Sequence, residues 1–141
     1  MSKIGISKLP KGEYVICDPC YTLGIKGNGA WHDLLNETGC FGLFEPNTEV
    51  KSQSYDNDRG GYFRVKGKTI ACFSTRHGDG AYYDQHGNEY GVDAGMIACI
   101  PVDIAEKIDS RLMTKHTFEE PFVCYYDDGC LHFGKIEINT N

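Results

Sequence analysis

Apolar residues in this chain come in short runs, separated by glycine, proline and aspartate rather than by long polar stretches. Glu13-Tyr14-Val15-Ile16-Cys17 reads as a strand that Asp18-Pro19 ends. Pro19 lacks an amide donor and has a fixed φ, so the chain turns there or runs along an edge. Beyond a Gly27-Asn28-Gly29 loop, the i, i+3, i+4 spacing of Trp31, Leu34 and Leu35 predicts a short amphipathic helix. Phe41-Gly42-Leu43-Phe44-Glu45 reads as the next strand, with another around Thr48 to Ser52. After the turn signal Asn57-Asp58-Arg59-Gly60-Gly61, Tyr62-Phe63-Arg64-Val65 and Thr69-Ile70-Ala71-Cys72-Phe73-Ser74 predict a hairpin around Lys66-Gly67-Lys68. Ala81-Tyr82-Tyr83-Asp84 and Glu89-Tyr90-Gly91-Val92 flank a tight turn at His86-Gly87-Asn88.

Met96-Ile97-Ala98-Cys99-Ile100 is apolar without a break, the pattern of a central strand buried on both faces. Asp103-Ile104-Ala105-Glu106 has the form of a capping box. It predicts a helix with Ile104, Ile108 and Leu112 on one face. Phe122-Val123-Cys124-Tyr125-Tyr126, the turn Asp127-Asp128-Gly129 and the run Leu131 to Ile138 predict a C-terminal hairpin. The inward face of that last run changes partway, which predicts a bulge near Gly134. The expected fold class is α+β, mainly antiparallel β, with about seven to nine strands and two short helices. No repeat or linker interrupts it, so residues 1–141 are expected to form a single globular domain.

Composition narrows the setting. With 40% hydrophobic and 24% charged residues the chain is globular rather than disordered. No apolar run approaches the ~20 residues of a membrane-spanning helix, and residues 1–10 lack the apolar segment of a secretion signal. A cytoplasmic location is expected, without a membrane partner. Seven unevenly spaced cysteines make a poor disulfide framework. Cys17, Cys72, Cys99 and Cys124 sit in apolar runs, where a reduced thiol acts as a small hydrophobe. A net charge of -6 without a basic stripe argues against long nucleic acid as partner. A small anion remains open, since a few local cations set the field of one pocket.

Three segments carry candidate chemistry: Cys17-Asp18-Pro19-Cys20-Tyr21, Arg76-His77-Gly78-Asp79-Gly80-Ala81-Tyr82-Tyr83-Asp84 and Gly91-Val92-Asp93-Ala94-Gly95. Each puts an aspartate beside glycine or proline near a strand end. Such a carboxylate can accept turn amides, and the bare backbone leaves room for a ligand. An aspartate of this kind is also an ordinary turn former, so a site requires the three turns to converge. Cys17 and Cys20 resemble half of a zinc site but lack a second pair, and Asp18 between them opposes thiolate formation. Cys20, His77 and Asp93 could assemble as nucleophile, base and orienter, and His77 with Asp79 could hold a metal-bound water. No hydrolase signature accompanies either set, and no cofactor is expected. Tyr21, Trp31, Tyr82, Tyr83 and Tyr90 offer aromatic faces for a planar base, and Arg76 offers a fork for phosphate, with Arg59 and Arg64 in reserve.

Asp18-Pro19-Cys20-Tyr21, Asp79-Gly80-x-Tyr82 and Val92-Asp93-Ala94-Gly95, in that order, resemble a pattern in small phage and bacterial proteins of uncharacterised role. The resemblance covers about Gly12 to Ile108. In size and lack of a catalytic signature the chain is also similar in kind to phage sponge proteins, oligomers that sequester the cyclic nucleotide signals of CBASS defence. That likeness transfers no residue. The function expected is non-catalytic sequestration of a small anionic ligand, such as a cyclic dinucleotide, by a homo-oligomer. In a phage setting this would take place in the host cytoplasm. The ligand-binding residues expected are Asp18, Tyr21, Trp31, Arg76, His77, Tyr82 and Asp93. Tyr21, Trp31 and Tyr82 would stack on bases, and Arg76 and His77 would hold phosphate. Asp18 and Asp93 would brace the turns or accept from a base edge. The alternatives are a hydrolase or phosphodiesterase acting on a similar ligand, and an inhibitor that docks a basic protein.

Overall fold

A computed structural model describes residues 3–23, 60–65, 68–93, 95–105 and 113–141. Two antiparallel sheets account for most of them. The larger has six strands in the order β1 (Lys3–Leu9), β9 (Phe122–Asp127), β10 (Cys130–Phe133), β11 (Ile136–Asn139), β5 (Gly80–Asp84) and β6 (Glu89–Val92). The smaller has five, in the order β3 (Gly60–Val65), β4 (Lys68–Ser74), β7 (Met96–Pro101), β2 (Gly12–Cys17) and β8 (Thr114–Phe118). Mainly-β architecture therefore holds, with eleven described strands where fewer were expected.

Side-chain alternation explains which face each strand buries. Along β9, Phe122, Cys124 and Tyr126 are buried and alternate with exposed or half-buried neighbours. Leu131, Phe133, Ile136 and Ile138 continue the same inner face across β10 and β11. They meet Tyr14, Ile16, Ala71, Phe73, Ile97 and Cys99 of the smaller sheet in one inter-sheet core. Phe118 stacks on Phe122 at 3.7 Å between centroids, and Tyr14 meets Phe122 edge-on at 5.0 Å. Such aromatic pairs contribute about 0.5–1.5 kcal/mol each beyond their burial.

The smaller sheet is buried on its other face too. Val15, Cys17, Ile70, Cys72, Met96, Ala98 and Ile100 form a second cluster with Ile104 and Met113. That is why β7 has no polar alternation: it lies mid-sheet, between β4 and β2, with a core on each side. Cys17, Cys72, Cys99 and Cys124 are buried thiols outside any disulfide. Burial pushes the Cys99 thiol pKa up, with Cys124 beside it adding to the rise.

Several expectations are corrected. Leu131 to Ile138 is two strands, because the chain reverses at Gly134-Lys135 rather than bulging. Gly134 has φ +61°, and a Cβ there would come within 2.9 Å of Phe118 Cε1. The glycine thus permits both the reversal and the close ring packing. The capping-box helix does not start as expected. Val102–Ile104 is a 3-10 turn without a side-chain cap, and Ala105 is extended. Asp103 instead faces Lys68 at 3.4 Å. Residues 106–112, like the helix expected after Trp31 and the strands near 41–52, lie outside the described residues. Strands β1 and β8 were not anticipated, nor was the single helical turn α1 (Cys20–Leu23) directly after Asp18-Pro19.

Gln85 joins β5 to β11 with its side chain. Glu137 N–H donates to Gln85 Oε1 at 2.9 Å, and Gln85 Nε2 donates to the Lys135 carbonyl at 2.5 Å. The carboxamide continues a backbone ladder that otherwise has only the pairs Ile138↔Asp84 and Asn139↔Tyr83. Among the described residues no helix is long and apolar enough to cross a membrane.

Candidate functional site at the turn-bearing end

Strand register brings the three aspartate-bearing segments to one end of the two sheets. Strand β2 ends there at Cys17, β4 at Ser74 and β6 at Val92, while β7 begins at Met96 and β5 at Gly80. The turns are also tied together directly. Asp93 N–H donates to Asp18 Oδ2 at 2.7 Å, linking residues 75 positions apart. Thr75 N–H donates to the Gly95 carbonyl at 3.1 Å, which joins the Arg76-His77 turn to the Asp93 segment.

Asp18 is fully buried, so it reaches the Asp93 backbone from inside and braces that turn. Pro19 follows it, and the amides of Tyr21 and Thr22 donate to the carbonyls of Asp18 and Pro19. This winds α1 and carries Tyr21 outward. The half-buried Tyr21 donates its hydroxyl to Asp93 Oδ2. Gly91 lies alongside, where a Cβ would sit 3.8 Å from the Tyr21 oxygen. Asp93 itself is exposed, so its carboxylate meets both the tyrosine and the solvent.

The second group surrounds residues 75–82. Half-buried Tyr82 packs on the inter-sheet core and donates its hydroxyl to the Gly78 carbonyl at 2.8 Å, closing the turn. Thr75 Oγ1 donates to the same carbonyl at 2.6 Å. Arg76 N–H donates to Thr140 Oγ1 at 2.9 Å, and Arg76 Nη2 donates to Asp128 Oδ1 at 2.6 Å. His77 is exposed on the turn. Of the seven expected ligand residues, Asp18, Tyr21 and Asp93 form one hydrogen-bonded group. Arg76 and His77 sit on the adjacent turn, which Tyr82 closes through the Gly78 carbonyl. Trp31, like Arg59, lies outside the described residues.

Two of the aromatic faces offered by the sequence are elsewhere. Tyr90 is fully buried, and Tyr83 is exposed on the outer face of the larger sheet, away from Tyr82. Tyr90 belongs to a network that sequence reasoning missed. Its hydroxyl donates to Asp84 Oδ2 at 2.7 Å, and the same carboxylate accepts His86 N–H, Asn88 N–H and Asn88 Nδ2. Burial pulls the Asp84 pKa upward, but the bonds from Asn88, Tyr90 and His86 together outweigh it and hold the carboxyl below its ordinary range. Burial raises the Tyr90 hydroxyl pKa, and Asp84 adds to the rise. His116 Nε2 lies 3.4 Å from that hydroxyl, and burial lowers the imidazole pKa. The arrangement closes the β5–β6 turn against the core.

Asp128 and Thr140 were also missed as partners of Arg76. The sequence marks Asp128-Gly129 only as a turn, and both residues do have positive φ, 51° and 86°. That is the backbone of a type I′ hairpin. The turn-bearing end is acidic overall. Its turns carry Asp79, Asp93, Asp127 and Asp128; Asp128 pairs with Arg76, Asp127 lies across from Lys3 in the β1–β9 register, and Lys3 lies over the Tyr125 ring at 4.6 Å. A groove of about 220 Å³ opens at the opposite end, between Lys11, Tyr14, Lys68 and Asp103. It contains none of the expected ligand residues. Among the described residues no group of three or more His, Cys, Asp or Glu could hold a metal ion.

Compared with protein-family models, curated proteins and solved structures, the chain finds no match in any of the three.

Proposed function

We propose that this chain is a non-catalytic binding protein whose turn-bearing end sequesters a small anionic ligand of cyclic nucleotide type. The observation that carries the reading is the meeting of the turns. Asp93 and Asp18 are joined across 75 positions, and the Arg76 turn is tied beside them through Thr75 and Gly95. In this reading the exposed Asp93 carboxylate accepts from the donor edge of a base, while Tyr21 and Tyr82 stack on it. Each stacked base would contribute roughly 1–3 kcal/mol. Arg76 and His77 take the phosphate. Asp18 touches no ligand and holds Asp93 in place. The likeness in kind to phage sponge proteins fits this reading, and the reading includes assembly into a homo-oligomer.

The test is to incubate the protein with cyclic mono- and dinucleotides, remove the protein by filtration, and then denature it with heat. Sequestration predicts depletion at fixed stoichiometry and recovery of intact nucleotide. Continuous turnover would instead make the chain a phosphodiesterase, and no depletion would reject a nucleotide ligand. The acidic character of the same end favours a second reading, a docking surface for a basic protein. That partner would co-purify at low salt and be lost at high salt, as screened charges require.

A further inference from the structure

Arg76 lies deeper than the carboxylate it pairs with. Its backbone N–H donates to Thr140 Oγ1, and that buried hydroxyl donates in turn to the Gly129 carbonyl. The side chain lies against Gly129, where a Cβ would stand 2.7 Å from Arg76 Nε. The missing Cβ leaves room for the Arg76 side chain there, and Gly129 also has φ +86°. Asp128, by contrast, presents its carboxylate from the tip of a hairpin turn. Its side chain is 84% exposed, against 34% for Arg76. Asn141 Nδ2 donates to the Asp128 carbonyl, so what the structure fixes here is the backbone of the turn, leaving the carboxylate at the water boundary.

We propose that Asp128 is an internal stand-in for a phosphate group: it occupies the oxyanion seat on Arg76, and a phosphate-bearing ligand displaces it. A guanidinium presents its donors as a planar fork matched to two oxygens of a carboxylate or phosphate. Thr140 anchors the Arg76 backbone, Gly129 leaves room for the side chain, and Asp128 holds the fork in the place where a phosphate would meet it. The occupant it must displace is an exposed carboxylate, and ion pairs of that kind are weak. A phosphate oxygen then takes the place of Asp128 Oδ1 on Nη2, and the aspartate turns into water. Displacement also relieves the acidic end, since Asp128 leaves as the ligand's charge arrives. The inference rests on reading this end as a phosphate-ligand site, and it adds the residue that sets its threshold.

The test titrates inorganic phosphate at low ionic strength into the parent chain, Asp128→Asn, Arg76→Gln and the double variant. The readouts are the Arg76 Nε–H resonance, where that arginine is present, and calorimetry. Asp128→Asn removes only an exposed charge, so its fold is retained, and far-UV circular dichroism checks all four proteins. The expected result is phosphate binding roughly fivefold tighter in Asp128→Asn than in the parent. Neither Arg76→Gln protein should bind. Equal affinity in the parent and Asp128→Asn would overturn the proposal, as would binding that survives loss of Arg76 or no binding to any of the four. Nucleotide retention by the parent chain is a separate readout. A gain in Asp128→Asn without retained nucleotide sinks only the cyclic nucleotide reading. Retained nucleotide without the gain sinks only the stand-in role.

Discussion

Replacing Tyr90 with phenylalanine removes one oxygen from the core and leaves the ring that packs there. The hydroxyl is one of four donors to Asp84, and the other three, His86 N–H, Asn88 N–H and Asn88 Nδ2, stay in place. A hydrogen bond to a charged acceptor contributes about 1.5–3 kcal/mol, so Tyr90→Phe should destabilise the fold by about 2 kcal/mol near neutral pH. For a chain of this size that is a fall in Tm of about 8 °C. The loss should depend on pH in a defined direction. The folded pKa of Asp84 lies below its ordinary value, so the carboxylate adds stability that is fully present above the unfolded pKa of about 3.9. That stability is lost as pH falls through the folded pKa. Removing a donor lets the folded pKa rise, so the gap between parent and variant is widest near neutrality and closes once both carboxyls are protonated. Urea unfolding followed by far-UV circular dichroism at a series of pH values from neutral to acid measures it. A gap below about 0.5 kcal/mol at neutral pH would refute the reasoning, as would a gap of the same size at every pH.

Three further predictions concern other parts of the fold. Asp18→Ala leaves the Asp93 amide without this acceptor, so it should cost about 1–3 kcal/mol and speed hydrogen exchange at Asp93. Gly134→Ala combines a left-handed backbone with a Cβ 2.9 Å from Phe118 Cε1, so it should cost about 2–4 kcal/mol in thermal denaturation. A cost under about 1 kcal/mol would mean that the ring pair gives way easily. Alkylation and peptide mapping should leave Cys17, Cys72, Cys99 and Cys124 unlabelled in the native protein and labelled after unfolding. Half-buried Cys130 should react slowly at neutral pH, because burial, and then Glu137 and Asp127, raise its thiol pKa.

Much of the fold was legible where a local pattern has one physical cause. The unbroken apolar run of β7 could only be satisfied by a core on both faces, and it has one. The hairpins β3–β4 and β5–β6 follow from alternation around glycine-bearing turns. The misreadings arose where two causes produce the same pattern. A face change near Gly134 suits a bulge as well as a reversal, and only the pairing of Phe133 with Ile136 distinguishes them. Asp103-x-x-Glu106 suits a cap, but the carboxylate faces Lys68, a partner distant in sequence. At the site, the aspartate turns were visible and their bonding was not. Nothing local to Asp18 announces that it accepts the Asp93 amide. Arg76 stands out in the sequence as a cation, whereas its partners Asp128 and Thr140 come from the far end of the chain.

The use of a glutamine carboxamide as a piece of backbone has a consequence of its own. The seam between β11 and β5 is the shortest in its sheet, two residue pairs long, and Gln85 lengthens it with a chemically perishable group. Deamidation would exchange the Nε2 donor for a charged oxygen pointed at the Lys135 carbonyl, turning an attraction into a repulsion. The β5–β6 hairpin carries Tyr82 and leads into Asp93, so slow ageing at one surface amide would loosen the side of the molecule on which the ligand reading depends.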